Sequence, residues 1–114
     1  MNQTHFHHGL ALFNQGDFYE AHEVLEDVWR ETEGPQKTFL QALIQIAVAL
    51  HHHRTGNMAG ARSLLGKAKL RLAGCPDPCL GVVVADLCQS VDRWQQALST
   101  GSLLPPFPRA TSKL

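Results

Sequence analysis

The chain predicts an all-α fold, a compact bundle of about five helices in which two helical hairpins are followed by a C-terminal helix. Three observations carry this. Apolar residues recur at helical spacing in Phe18, Ala21, Leu25, Val28 and Trp29, and again in Leu80, Val83, Val84, Leu87, Val91, Trp94 and Leu98. Breakers at Asn14-Gln15-Gly16, Gly34-Pro35, Gly56-Asn57 and Cys75-Pro76-Asp77-Pro78 cut the chain into pieces of helix length. A faint internal echo also divides the first two-thirds into two similar halves.

The first helix is expected from about His5 to Phe13, where Asn14-Gln15-Gly16 stops it. The second starts at Asp17, whose spacing to Glu20 suits a capping box, and ends near Glu33-Gly34. Pro35 fits the first turn of the third helix, where a missing N–H costs nothing. That helix runs to about Thr55 and is closed by Gly56. Asn57 is a good N-cap for a fourth helix ending near Ala73-Gly74. After the Cys75–Pro78 turn the fifth helix carries Leu80 to Leu98. The tail Leu104-Pro105-Pro106-Phe107-Pro108 reads as extended, packing back through Phe107, with fraying beyond. The whole is one domain over residues 1–114, with its core over about 5–99 and a Pro-rich tail over 103–114.

The echo has a period of forty residues: Gly16-Asp17-Phe18, Ala21, Leu25 and Val28 match Gly56-Asn57-Met58, Ala61, Leu65 and Ala68. Each copy is a turn glycine, a cap and the second helix of a hairpin. The hairpins are tetratricopeptide-like, although that family's period is shorter, and two copies make a bundle rather than a solenoid. The shared positions are those that packing demands. His22 falls opposite Arg62, Glu26 opposite Gly66 and Trp29 opposite Lys69, so the hairpin itself does not require these three residues.

Composition narrows the function classes. The 114 residues are 44% hydrophobic and 18% charged with a formal net charge of zero, which argues against nucleic-acid binding driven by bulk charge. The longest strictly apolar run, Ile46 to Leu50, is far too short to span a bilayer, and Met-Asn-Gln-Thr-His does not open a signal peptide. Three cysteines, Cys75, Cys79 and Cys88, do not make a disulfide framework or a zinc knuckle, and a reduced cytoplasmic setting follows. Seven of ten acids lie between residues 17 and 33, and five of ten basic residues between 54 and 71, so two helix faces carry opposite sign. A homodimer built on these faces, or on the fifth helix, is compatible with the pattern. Lys67, Lys69 and Arg71 lack interleaved aromatics, and no phosphate-cradling glycine loop or nucleophile elbow occurs.

The chemistry-bearing residue is His22. It falls between Phe18 and Leu25 on the apolar face of the second helix, where a buried imidazole needs a partner. Glu26, four residues on, flanks it; an imidazole and a carboxylate at that spacing can ligate one metal or bond to each other. The third helix is apolar almost all round, through Phe39, Leu40, Ala42, Leu43, Ile44, Ile46, Ala47, Val48, Ala49 and Leu50. Gln41, Gln45 and His52 form a narrow polar stripe on it. His51 projects on the apolar side, and His53 points away to solvent. In an antiparallel hairpin His22 and Glu26 face the later half of the third helix, near His51 or His52. His5, His7 and His8 read as surface residues.

Leu12-Phe13-Asn14-Gln15-Gly16, Phe18 to Glu26, Trp29-Arg30, Leu40 to Ala47, and His52 with Gly56-Asn57 resemble a small bacterial and archaeal family, domain of unknown function 309. The resemblance covers roughly residues 9 to 70. The family signature, a His, a Glu four later and an aromatic three after that, lands on His22, Glu26 and Trp29. The resemblance implies an all-helical fold and a metal-binding role for that signature, and it names no reaction. One departure is Ala42, where the family usually has glycine.

Two functions follow. In the first, a divalent metal is held by His22, Glu26 and His52. Glu26 is a ligand or the general base on a bound water, while Trp29, Gln41 and Gln45 bind a small-molecule substrate. In the second, the chain is a non-enzymatic helical-hairpin interaction module for a protein partner. His22 then makes a structural hydrogen bond to Glu26 or Gln45.

Overall fold

Apolar periodicity becomes helix in five places in the computed structural model, which describes residues 2–101, 104–106 and 109–110. The helices are α1 (Gln3–Gln15), α2 (Phe18–Arg30), α3 (Pro35–Arg54), α4 (Met58–Ala73) and α5 (Val84–Thr100). They pack in chain order, α1 on α2, α2 on α3, α3 on α4 and α4 on α5. The all-α class is as the sequence predicts, and no helix among the described residues is long and apolar enough to cross a membrane.

The core runs along this stack. Phe6, Phe13, Phe18, Leu25, Phe39, Leu43, Ile46, Leu65, Leu72, Leu87 and Trp94 are all buried. α3 buries Phe39, Leu40, Ala42, Leu43, Ile46, Ala47, Ala49 and Leu50, as its nearly all-round apolar surface requires. α1 and α2 approach closely at Gly9, where an added Cβ would stand 2.9 Å from Leu25 Cδ2. Gly16 ends α1 at φ 86°, a left-handed conformation that costs glycine little, and its N–H reaches the Leu12 and Phe13 carbonyls.

Helix ends depart from the sequence reading where caps are concerned. α1 starts two residues earlier than His5 because the Asn2 side chain accepts from His5 N at 3.0 Å. Asp17 precedes α2 but its side chain makes no capping bond, so the Asp17–Glu20 box is not formed. α2 ends at Arg30 rather than near Glu33, and the hydroxyl of buried Thr32 donates to the Val28 carbonyl at 2.6 Å. Asn57 caps α4 as expected, accepting from Gly60 N at 2.9 Å.

The fifth helix starts at Val84, so Leu80 and Val83 precede it rather than belong to it. The chain makes a tight turn there. Cys79 and Val82 exchange backbone hydrogen bonds of 3.0 and 2.8 Å, and Leu80 takes a φ of 49°. The Asp77 carboxylate then accepts from Val84 N at 2.9 Å and Ala85 N at 3.1 Å, a cap supplied from seven residues upstream.

Beyond α5 the described tail folds back over the bundle. Trp94 Nε1 donates to the Pro106 carbonyl at 3.0 Å. Asn14 donates to the Ala110 carbonyl at 3.2 Å and accepts from Ala110 N at 2.9 Å. Packing through Phe107, and the frayed end beyond, fall outside the described residues.

Candidate functional site

α2 and α3 run antiparallel, as two contacts at opposite ends show. Tyr19, early in α2, lies 5.3 Å from the His51 ring late in α3. Lys37, early in α3, places Nζ 4.2 Å above the Trp29 ring late in α2. Between the end of α2 and the start of α3 opens a cleft of about 230 Å³, lined by Glu26, Trp29, Arg30, Gln41 and Ile44. Glu26, Trp29 and Gln41, singled out from the sequence, therefore meet in one place.

The cleft is polar at its rim and apolar within. Arg30 pairs with Asp27 at 2.7 Å and reaches Glu26 at 3.7 Å. Asp27 in turn meets His5 of α1 at 3.6 Å. All four side chains are well exposed, so these contacts orient the rim more than they stabilise the fold. Trp29 Nε1 is buried and has no hydrogen-bond partner among the described residues.

His22 finds its partner in the backbone. Its Nδ1–H donates to the Tyr19 carbonyl, and its ring meets the Tyr19 ring edge-on at 4.9 Å. The expected bond from His22 to Glu26 or Gln45 is replaced by this local one. A proton held on Nδ1 leaves Nε2 as the acceptor nitrogen of the neutral ring.

The polar stripe of α3 divides between neighbours. Gln41 lines the cleft, whereas Gln45 Oε1 accepts from Arg71 Nε of α4 at 3.1 Å. His52 lies with Nδ1 3.5 Å from Asn57 Nδ2, next to the α4 cap. His51 is the histidine that shares Tyr19 with His22. His53 is only partly exposed, with its ring edge-on to Trp94 of α5 at 5.2 Å, rather than pointing freely to solvent. Among the described residues no three His, Cys, Asp or Glu side chains converge to hold a metal ion.

Lys37, Arg30, Ile44 and Tyr19 escaped the sequence reading. Arg30 was visible as the residue four after Glu26. Lys37 becomes visible once the antiparallel register sets the first turn of α3 beside Trp29. Burial pushes the Cys79 thiol up to about 11, with Cys75 adding to the shift, and Cys75 and Cys88 are raised mainly by burial. All three are unpaired thiols.

A family model described as Domain of unknown function (DUF309) matches residues 6–64, a span that holds every residue of the cleft. The chain belongs to the DUF309 family. A solved structure, that of a conserved hypothetical protein from Thermus thermophilus, is 38% identical with a TM-score of 0.67, covering 82% of this chain and 94% of that one. An uncharacterized protein of Aquifex aeolicus (strain VF5) is 37% identical over 76 residues, and the uncharacterized protein YpuF of Bacillus subtilis (strain 168) is 43% identical over 53. Those matches take in 66% and 46% of this chain but only 23% and 30% of the relatives, so the chain spans less than a third of either curated relative.

Proposed function

We propose that this DUF309 chain is a helical binding module whose α2–α3 cleft receives one side chain of a protein partner. The observation that carries this is the meeting of Glu26, Trp29 and Gln41 in a single cleft with Arg30 and Ile44. At about 230 Å³ the cleft is smaller than the roughly 300–1,000 Å³ of sites that enclose a small molecule. It suits one anchoring side chain whose apolar part packs against Trp29 and Ile44, with Glu26, Arg30 and Gln41 beside it. The packing of α1 on α2 and of α3 on α4 is compatible with a module of this kind. So is the greater length of its curated relatives, in which a matching segment is joined to more chain. A cytoplasmic setting suits its three unpaired thiols.

The second reading is a divalent metal centre with hydrolase-like chemistry at His22, Glu26 and His52. The four-residue spacing of His22 and Glu26 favours it, as does the acceptor nitrogen that His22 keeps at Nε2. The donor set fits poorly: His52 sits with Asn57, and Glu26 sits with Arg30.

One experiment separates the two. The untagged wild type, Trp29→Ala and a His22→Ala/Glu26→Ala double variant are compared for bound metal and for a co-purifying partner, with helicity checked in each. A binding module predicts a partner lost on Trp29→Ala and no stoichiometric metal. Near-stoichiometric metal that disappears in the double variant, with helicity kept, overturns the module and establishes the metal centre.

A further inference from the structure

The other end of the α2–α3 pair carries a second surface, already filled by the chain itself. Residues Leu104-Pro105-Pro106 and Arg109-Ala110 lie across the ends of α1, α3 and α5. Two side chains grip them, and both grip the main chain. Trp94 Nε1 donates to the Pro106 carbonyl at 3.0 Å. The Asn14 carboxamide takes both backbone groups of Ala110, donating at 3.2 Å and accepting at 2.9 Å. A carboxamide that serves one residue's N–H and C=O together imitates a neighbouring strand, so it recognises extended backbone whatever the side chains. Ala110 is buried by the contact.

The walls suit proline. Trp94 is buried with His53 edge-on to it, and prolines preset an extended backbone, so little conformational freedom is lost on docking. A cleft of about 360 Å³ remains beside the seated segment, lined by His53, Arg54, Trp94, Leu104, Pro105 and Pro106. The groove is therefore larger than the segment that lies in it.

We infer that this is a peptide groove in which Leu104–Pro106 and Arg109–Ala110 act as a tethered ligand, and that an extended, proline-containing segment of another protein displaces them to bind. The groove selects a carbonyl for Trp94 and, four residues later, an N–H and C=O pair for Asn14, with prolines near the first point. The cis segment raises the threshold, because a short tether presents it at an effective concentration of about millimolar.

The test is titration of a synthetic peptide with the sequence of residues 103–110 into a chain ending at Gly101, followed through the Trp94 indole N–H resonance. The peptide should bind and shift that resonance. Asn14→Ala should weaken binding at least about tenfold, and the full-length chain should bind at least about tenfold more weakly. A Gly-Ser peptide of equal length, which keeps the main-chain groups but lacks the preset prolines, should bind at least about tenfold more weakly. If the shortened chain is not helical, a full-length Leu104→Ser/Pro105→Ser/Pro106→Ser variant replaces it, with the same expectations. No binding to a folded chain, binding indifferent to Asn14→Ala, or equal binding to the full-length chain each overturn the inference. A full-length dimer that exchanges tails would assign the groove to a second copy and contradict an unrelated partner.

Discussion

Lys37 holds its ammonium 4.2 Å above the Trp29 ring, so the first turn of α3 is pinned to the last turn of α2. The contact links fold to site: it orients the indole that forms one wall of the cleft. Lys37→Ala should destabilise the domain by about 0.5–1 kcal/mol, measured by chemical denaturation. It should also weaken partner binding more than its stability cost accounts for. A loss equal to that of a Lys-to-Ala change on the exposed face of α4, such as Lys67→Ala, would leave the indole contact without a role.

Asp77 is expected to act as a cap that the sequence does not announce. Removing its carboxylate in Asp77→Ala leaves Val84 N and Ala85 N without their acceptor. The expected cost is about 1–2 kcal/mol. Amide exchange at Val84 and Ala85 should accelerate while exchange at the far end of α5 stays unchanged. Uniform acceleration along α5 would place the effect elsewhere.

These caps mark where sequence reasoning stops. Helix count, order and the core face of α3 were legible because apolar residues such as Phe39, Leu43, Ile46 and Leu50 repeat with the helical period. Glu26, Trp29 and Gln41 were singled out by helical spacing, but the hairpin argument set Glu26 against the later half of α3, whereas it shares its cleft with Gln41 and Ile44 of the first half. The start of α5 was not, because Leu80 and Val83 keep helical spacing while Leu80 adopts a left-handed backbone and the cap comes from Asp77. The partner of His22 was not legible either. Spacing offers Glu26, but rotamer choice turned the ring to the Tyr19 carbonyl.

Gly9 should tolerate no branched side chain. Its position already lies within 2.9–3.2 Å of Leu25 and Val24 atoms for a single added carbon. Gly9→Val should cost about 1–3 kcal/mol through overpacking of α1 on α2. A thermal midpoint equal to wild type would mean that the two helices separate at little cost.

Cys79 gives a pH signature. Its thiol is pushed up to about 11 from an ordinary value of 9.0, so the unfolded chain ionises first. The Cys79 contribution to stability is complete below pH 9.0 and declines as pH rises toward about 11. Denaturation midpoints of wild type should fall more steeply over that window than those of Cys79→Ala. At neutral pH the thiol should alkylate far more slowly in the folded chain than in denaturant. Parallel pH curves would contradict the shift.

Binding at the α2–α3 cleft is tested most directly by a photoreactive side chain placed at Ile44, inside the cleft, with Leu70 on exposed α4 as the control position. After illumination in cells, a cleft that receives a partner gives one protein adduct of defined mass from position 44, absent from position 70 and lost when Trp29→Ala is added. No adduct from position 44, or the same adducts from both positions, would contradict the cleft as the binding site.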